Sequence, residues 1–406
     1  MEGDRRPLCV EKTGVMNYPS PSSRTSTQHP FDLATSSTTS ALGEFHMAHV
    51  ARHAAVLSLF RGASGLLRMA SGVALSFALA ACSGRGGGAG PQLAYVANAD
   101  SNTASTYSIG ANGVLTPVPG SPFAAGTKPY SVTVNPAGTF AYVTNVGDDT
   151  ISAYGIGANG ALTPVPGSPF AAGAKPFSVT VTPAGTFAYV TNWGSNTISA
   201  YNIGANGALT PVPGNPFAAG NEPYSVTVNP AGTFAYVANA GSNTISAYSI
   251  DANGALTPVP GSPFAAGNSP VSVTVTPAGT FAYVANFGDG TVSAYGIGAN
   301  GALTPVPGSP FAAGNEPVSV TVNPAGTFAY VANGGSNTIS AYSIDATTGA
   351  LTPVPGSPFA TGNSPVSVTV NPAGTFAYVA NVGDGTISAY SICDDRRTHA
   401  GVGGCK

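Results

Sequence analysis

The chain has 406 residues, only 7% of them charged, and 13 Lys and Arg are set against 16 Asp and Glu for a net charge of −3. No basic stripe exists to neutralise a phosphate backbone, which excludes nucleic acid as a partner. Gly (53) and Pro (35) are abundant. Helical periodicity is absent, and short β-type runs alternate with turn chemistry, which predicts an all-β chain.

Residues 1–46 carry many Ser, Thr and Pro and little apolar content, which predicts disorder or a start codon placed too far upstream. Residues 47–81 read as a signal peptide. Arg52, Arg61 and Arg68 supply positive charge, Met69 to Leu79 a short apolar run, and Ala80 and Ala81 small residues before Cys82. The run falls short of the roughly 20 residues that a membrane span needs. Leu79-Ala-Ala-Cys82 resembles the bacterial lipobox, which implies diacylation of Cys82 and removal of everything before it. An ordinary secretory signal is the alternative. Residues 82–92 form a Gly-rich tether. By resemblance to lipoprotein sorting, Ser83 after the cysteine implies a cell-envelope protein of the outer membrane or periplasm, with the membrane as partner through the lipid.

From residue 93 the chain repeats. Tyr95, Tyr142, Tyr189, Tyr236, Tyr283 and Tyr330 recur every 47 residues within Ala-Tyr-Val-(Ala/Thr)-Asn, and Tyr378 follows 48 later. A period of this length marks a propeller or a solenoid. In one repeat, Tyr130–Val134, Thr139–Asn145 and Thr150–Ile156 read as strands A, B and C. Asn135-Pro-Ala-Gly138 and Gly157-Ala-Asn-Gly160 are turns between them. Ala161-Leu-Thr163 opens a ragged strand D, broken by Pro164, Pro166 and Pro169 and so suited to a sheet edge. Strand B is apolar on both faces, Phe140 and Tyr142 on one and Ala141 and Val143 on the other, as a blade packed between two others requires. A β-solenoid would have shorter rungs and no hairpin turns.

Tyr142-Val-Thr-Asn145 and Tyr189-Val-Thr-Asn192 are literal YVTN motifs. With the preceding Ser-Val-Thr-Val-x-Pro-Ala-Gly-Thr-Phe they resemble the YVTN-repeat β-propellers. The Gly-Ala-Leu-Thr-Pro turn also resembles the lactonase seven-bladed propeller family, which includes 6-phosphogluconolactonase. The resemblance covers Leu93 to about Ile392 and implies a seven-bladed β-propeller of four-stranded antiparallel blades over 93–392. It also implies lactone hydrolysis, but the family's active-site His and Arg have no counterpart here.

The ends of the repeat array do not match. The first repeat lacks a recognisable strand A and the last, Pro365 to Ile392, lacks strand D. Seven blades with an incomplete seam, or six closed blades and a surplus hairpin, are expected, with the terminal repeats least protected. Residues 393–406 depart from the repeat. With codons CGG CGC ACT CAC GCC GGT, Arg396 to Gly401 shifted by one base reads Gly-Ala-Leu-Thr-Pro-Val, the missing strand D. This implies a reading frame that slipped near Cys393, and resequencing that stretch decides it. The four cysteines, Cys9, Cys82, Cys393 and Cys405, all lie outside 93–392, so no disulfide framework is expected.

Antiparallel order places the B–C and D–A loops on one face of the disc. The turns on the other face barely change between repeats, whereas this face varies. Its candidate binding residues are Lys128, Lys175, Glu222 and Glu316 in the D–A loops and Trp193 and Phe287 in the B–C loops. The Gly-Asp loops at Asp148-Asp149, Asp289 and Asp384 offer one or two acids each, too few for calcium, and read as solvated turns. No catalytic residue, metal or cofactor is assigned. Between 93 and 392 there is no His and no Arg, and only Lys128 and Lys175 face seven Asp and two Glu. A phosphosugar lactonase needs bidentate cations and a base near neutral pH. The expectation is therefore a non-catalytic, lipid-anchored binding module for a glycan, envelope component or protein partner. The alternative is a lactonase-family hydrolase.

Overall fold

The computed structural model describes residues 9–17, 77–81 and 92–393, which belong to one compact unit and contain no helix. Seven antiparallel sheets are arranged as seven blades. In blade 2 the strands are Pro129–Val134 (A), Phe140–Asn145 (B), Thr150–Ile156 (C) and a D edge in two pieces, Leu162–Pro164 and Phe170–Ala171. Both D pieces pair with strand C, one at each end. Pro164, Pro166 and Pro169 account for the break, because proline donates nothing to a ladder. Blades 3 to 6 begin at Pro176, Pro223, Pro270 and Pro317 and repeat this plan.

The seam differs from the sequence expectation. Blade 1 has a strand A, Phe77–Ala81, paired with Gln92–Val96. Blade 7 has a strand D, Cys9–Asn17, paired with Thr386–Cys393 through eight residue pairs and a bulge between Lys12 and Gly14. The bulge falls where the other blades break their D edge in two. Strand 9–17 lies within the stretch expected to be disordered, and strand 77–81 within the expected signal peptide. Ladder bonds use the backbone, so strands without the repeat's sequence can fill both places. Removal of everything before Cys82 would strip away both strands, so a ring closed in this way and a chain cleaved there exclude one another. Cys82 itself, and the 393–406 tail beyond Cys393, lie outside the described residues.

The core lies between blades. Tyr142, Ile151, Ala153 and Val165 of blade 2 pack on Val179, Ala188, Val190, Tyr201 and Leu209 of blade 3. Two tyrosines per blade bolt this packing. The strand-B hydroxyl donates to a glycine carbonyl in the next blade's C–D turn, as in Tyr142 to Gly207 (3.1 Å) and Tyr189 to Gly254 (3.0 Å). The strand-C hydroxyl donates back to the preceding blade's edge, as in Tyr154 to Ala124 (2.7 Å) and Tyr201 to Ala171 (2.6 Å). The ring closes with the same bolt, Tyr378 to Gly113 at 2.8 Å. Tyr330 makes no such bond. Among the described residues its buried hydroxyl has no hydrogen-bond partner, because the blade 7 turn it would reach lies past Ile392, where the repeat sequence ends.

The C–D turn leaves no room for a side chain. Gly207 has φ +81°, and a Cβ there would stand 2.4 Å from Phe140 Cδ1. Gly185 has φ +73°, but its nearest neighbour would be Pro136 Cδ at 3.8 Å. Thermal unfolding should separate the two cases. Gly207→Ala is expected to cost about 3 kcal/mol, from backbone strain and overpacking together, and Gly185→Ala about 1 kcal/mol from strain alone. Equal shifts in Tm would show that the Phe140 contact is dispensable.

Candidate functional site

Each D–A loop carries one residue in the left-handed region just before the proline that opens strand A. These are Lys128, Lys175, Glu222, Ser269, Glu316 and Ser364, with φ between 49° and 53°. An αL conformation costs a non-glycine residue something, and the surroundings hold it in place. The amide nitrogen of Lys128 donates to Asn102 Oδ1 (2.8 Å), that of Lys175 to Asp149 Oδ1 (2.7 Å) and that of Glu222 to Asn196 Oδ1 (2.8 Å). The carbonyl of each accepts the amide of the first B–C residue of its own blade. Val146 donates to Lys128, Trp193 to Lys175, Ala240 to Glu222, Phe287 to Ser269 and Gly334 to Glu316, at 2.8 to 3.0 Å. All six sequence candidates therefore stand in the D–A and B–C loops that these bonds join, and Lys175 and Trp193 stand together.

The Gly-Asp loops are built into this frame. Asp148 accepts from the Thr127 amide (2.8 Å) and from Thr150 Oγ1 (2.7 Å), and Asp289 and Asp384 make the same pair of bonds. Where another blade has serine, as at Ser242, its hydroxyl accepts the equivalent amide, from Asn221, at 3.2 Å. These acids serve to shape loops. Among the described residues no three His, Cys, Asp or Glu side chains converge as metal ligands would.

Three residues that sequence reasoning passed over complete the site. Tyr130, Phe177 and Tyr224 occupy the second position of strand A in blades 2, 3 and 4, one residue past the face proline. The Tyr130 and Tyr224 hydroxyls are hydrogen-bonded to each other although their blades are not adjacent, and such a contact can form only across the ring axis. Phe177 lies between them, its ring centroid 4.5 Å from Tyr130 and 4.9 Å from Tyr224. Trp193 continues the cluster outward, stacked on Phe177 at 5.8 Å and 30°. Lys175 Nζ stands 4.8 Å from the Trp193 ring centroid, a cation–π contact. Burial pushes the Tyr224 phenol up to about 12, and burial followed by the neighbouring Tyr224 raises Tyr130 well above the usual phenol range. Both are neutral donors at physiological pH.

The site is one-sided. Blades 5, 6 and 7 place Val271, Val318 and Val366 where blades 2 to 4 place rings. Phe287 belongs to blade 5, on the valine side. Lys128 is exposed in blade 2. Glu222 in blade 4 folds back over Gly241, where a Cβ would meet its Cγ at 3.1 Å, and its buried Oε2 has no hydrogen-bond partner among the described residues. Glu316 folds over Gly335 in the same way on the far side. The signal for Tyr130, Phe177 and Tyr224 was divergence among near-identical copies, the test already applied to the loops but not to strand A.

This arrangement offers an apolar aromatic wall for the flat face of a ring, an ammonium at its rim, neutral phenols at its base and a carboxylate in the next blade. Comparison with known proteins agrees with the fold. A family model described as Lactonase, 7-bladed beta-propeller matches residues 90–359 and 301–402. Among solved structures, the chain resembles a candidate 6-phosphogluconolactonase from Bacteroides fragilis, with 21% identity, TM-score 0.63, and 81% of this chain and 93% of that chain covered. It also resembles the periplasmic gluconolactonase of Pseudomonas aeruginosa, with 19% identity, TM-score 0.58, and 70% and 86% covered. A protein from Lactobacillus plantarum aligns at 22% identity and TM-score 0.60, over 71% and 86%. Likeness at these identities concerns the fold. No curated protein matches the chain.

Proposed function

Because the chain belongs to the seven-bladed β-propeller lactonase family, we propose that it hydrolyses a lactone at the aromatic end of its channel. The observation that carries this is the concentration of Lys175, Trp193, Phe177, Tyr130, Tyr224 and Glu222 in three consecutive blades of an otherwise repetitive ring. The lactone ring lies on the Trp193–Phe177 wall. Lys175 stabilises negative charge as it develops on the carbonyl oxygen during attack by water, and Glu222 takes the water proton. The ring C–O bond then breaks, its oxygen is protonated, and a hydroxy acid leaves. This reading replaces the non-catalytic one as the better supported.

The charge pattern narrows the substrate. Two lysines against nine acids between 93 and 392 give a phosphate dianion little to bind. Glucono-δ-lactone and 6-phosphogluconolactone should therefore be assayed side by side. Saturable turnover above the spontaneous rate is expected, with the uncharged lactone at least as good a substrate. Lys175→Ala should lower kcat/KM by about 100-fold. Trp193→Ala should mainly raise KM. No turnover of either lactone would overturn the hydrolase reading.

The absence of His and Arg between 93 and 392 favours a second reading, a propeller that binds without catalysis. That reading keeps Cys82 as a lipid anchor and a glycan, envelope component or protein as ligand, in the bacterial cell envelope. Fractionation of cells carrying Cys82→Ser tests the anchor. A membrane-bound, lipid-labelled product from that variant would exclude it.

A further inference from the structure

We propose that Thr144 and Thr191 are positioning residues that hold the aromatic wall in place and so set its affinity for a lactone ring, a role that rests on the lactone reading for its ligand but not for its geometry. Strand B carries threonine at its fifth position in blades 2 and 3 alone. The other five blades place Ala97, Ala238, Ala285, Ala332 and Ala380 there. Thr144 and Thr191 are both fully buried. They fall in the blades that carry the aromatic cluster.

Each hydroxyl makes two bonds that alanine cannot. Thr144 Oγ1 accepts the Ser131 amide of its own blade (3.0 Å) and donates to the Phe177 carbonyl of the next (2.8 Å). Thr191 Oγ1 accepts the Ser178 amide (3.0 Å) and donates to the Tyr224 carbonyl (3.2 Å). A hydroxyl has one proton to give and lone pairs to accept with, so both roles are filled at once. The bonds run from Ser131, beside Tyr130, through Thr144 to Phe177, and from Ser178, beside Phe177, through Thr191 to Tyr224. Two side chains thus tie together the main chain of all three rings. Their counterparts Ala238, Ala285 and Ala332 precede blades with valine at the ring position, Val271, Val318 and Val366.

The strand register differs in the same two blades. In blades 4 to 7 the third residue of strand A pairs directly with the strand-B alanine, Ser225 with Ala238, Ser272 with Ala285, Ser319 with Ala332 and Ser367 with Ala380. In blade 2 that pair is missing, and the ladder passes from Pro129 with Asn145 to Val132 with Val143. Blade 3 does the same, from Pro176 with Asn192 to Val179 with Val190. The threonine hydroxyl stands in the gap and takes the serine amide. A longer irregularity in the ladder re-aims the side chains beside it, and in these blades those side chains are Tyr130 and Phe177.

The test uses the full chain and its one tryptophan, Trp193, which stacks on Phe177 and reports on this wall alone. Thr144→Ala installs the residue that five blades already carry, so the far-ultraviolet dichroism of the propeller should persist. Trp193 emission should shift and its quenching by acrylamide should rise, because Phe177 loses the bond to its carbonyl. Thr144→Ser, which keeps the hydroxyl, should restore both, and Thr191→Ala and Thr191→Ser should behave in the same way. With glucono-δ-lactone, each alanine variant should raise KM about 5-fold, the scale of one net hydrogen bond, and leave kcat little changed. Trp193 emission and quenching like those of the parent chain, failure of serine to restore them, or a fall in kcat at constant KM would each overturn the assignment. Loss of the far-ultraviolet signal in Thr144→Ala would overturn it too, by giving the threonine to folding. If the parent chain turns over no lactone, the hydrolase reading fails, and the tryptophan measurements decide the role of the threonines by themselves.

Discussion

Raising the pH past about 10 is expected to unfold the propeller cooperatively. Fourteen tyrosines have phenols raised above the usual value, in each case chiefly by burial. Tyr236 and Tyr390 reach about 12. The folded chain keeps these protons above pH 10 while the unfolded chain loses them. The unfolded state then binds fewer protons, so stability falls as pH rises. The tyrosine contribution is full below about pH 10 and is lost as pH climbs toward the folded values. Each strongly shifted phenol removes about 1.4 kcal/mol per pH unit in that window. Summed over the bolts, the loss is on the order of 10 kcal/mol by about pH 11, as large as the whole stability of a typical domain. Tyrosinate absorbance and β-type circular dichroism should therefore change together. Phenols that titrate smoothly near pH 10 with the dichroism intact would contradict the burial described for them.

Deleting residues 1–81 should open the ring at one place only. The truncation removes the five residue pairs that complete blade 1 and the eight that complete blade 7. With roughly one ladder bond per residue pair at about 1 kcal/mol net each, the terminal blades together lose on the order of 10 kcal/mol. Hydrogen exchange should accelerate in Gln92–Asn98 and Thr386–Ile392 and change little in blades 3 to 5, since repeat stability is close to a sum of unit and neighbour terms. Two unpaired edges also invite pairing between chains, visible as dimers in size-exclusion chromatography. A truncated monomer with an unchanged Tm would mean that the two added strands are dispensable, and a chain matured at Cys82 would then be as stable as the uncleaved one.

The interior of the ring was legible because its strands are copies. Thr150–Ile156 agrees with the sequence reading, and Phe140–Asn145 and Pro129–Val134 agree to within a residue. The period and the turn residues specify them redundantly. The closing strands were not legible. Cys9–Asn17 and Phe77–Ala81 share nothing with the repeat, and backbone pairing places no demand on side chains that a reader could recognise. The apolar Phe77 to Leu79 run is equally compatible with a signal core and an inner strand. At the site, Lys175 and Trp193 were found because loops were compared across copies. Tyr130, Phe177 and Tyr224 were passed over because alternation within strand A makes any large apolar side chain look like core. Their contact across the axis depends on blades two repeats apart, which no local pattern encodes.

The D–A and B–C residues held in the same backbone frame in blades 2 to 7 have an evolutionary and engineering consequence. Blades 2 to 7 each offer three addresses, the αL residue, its B–C partner and the second residue of strand A, on a main chain that keeps the same conformation from blade to blade. Lys, Glu and Ser already exchange at the first address, Trp, Phe, Val, Ala and Gly at the second, and Tyr, Phe and Val at the third, on one unchanged framework. Recognition here can be rewritten one blade at a time without renegotiating the fold. Randomising those addresses in blades 5 to 7, now occupied by serine, glutamate, phenylalanine, glycine and valine, would yield a combinatorial library in which the second half of the disc acquires a specificity of its own.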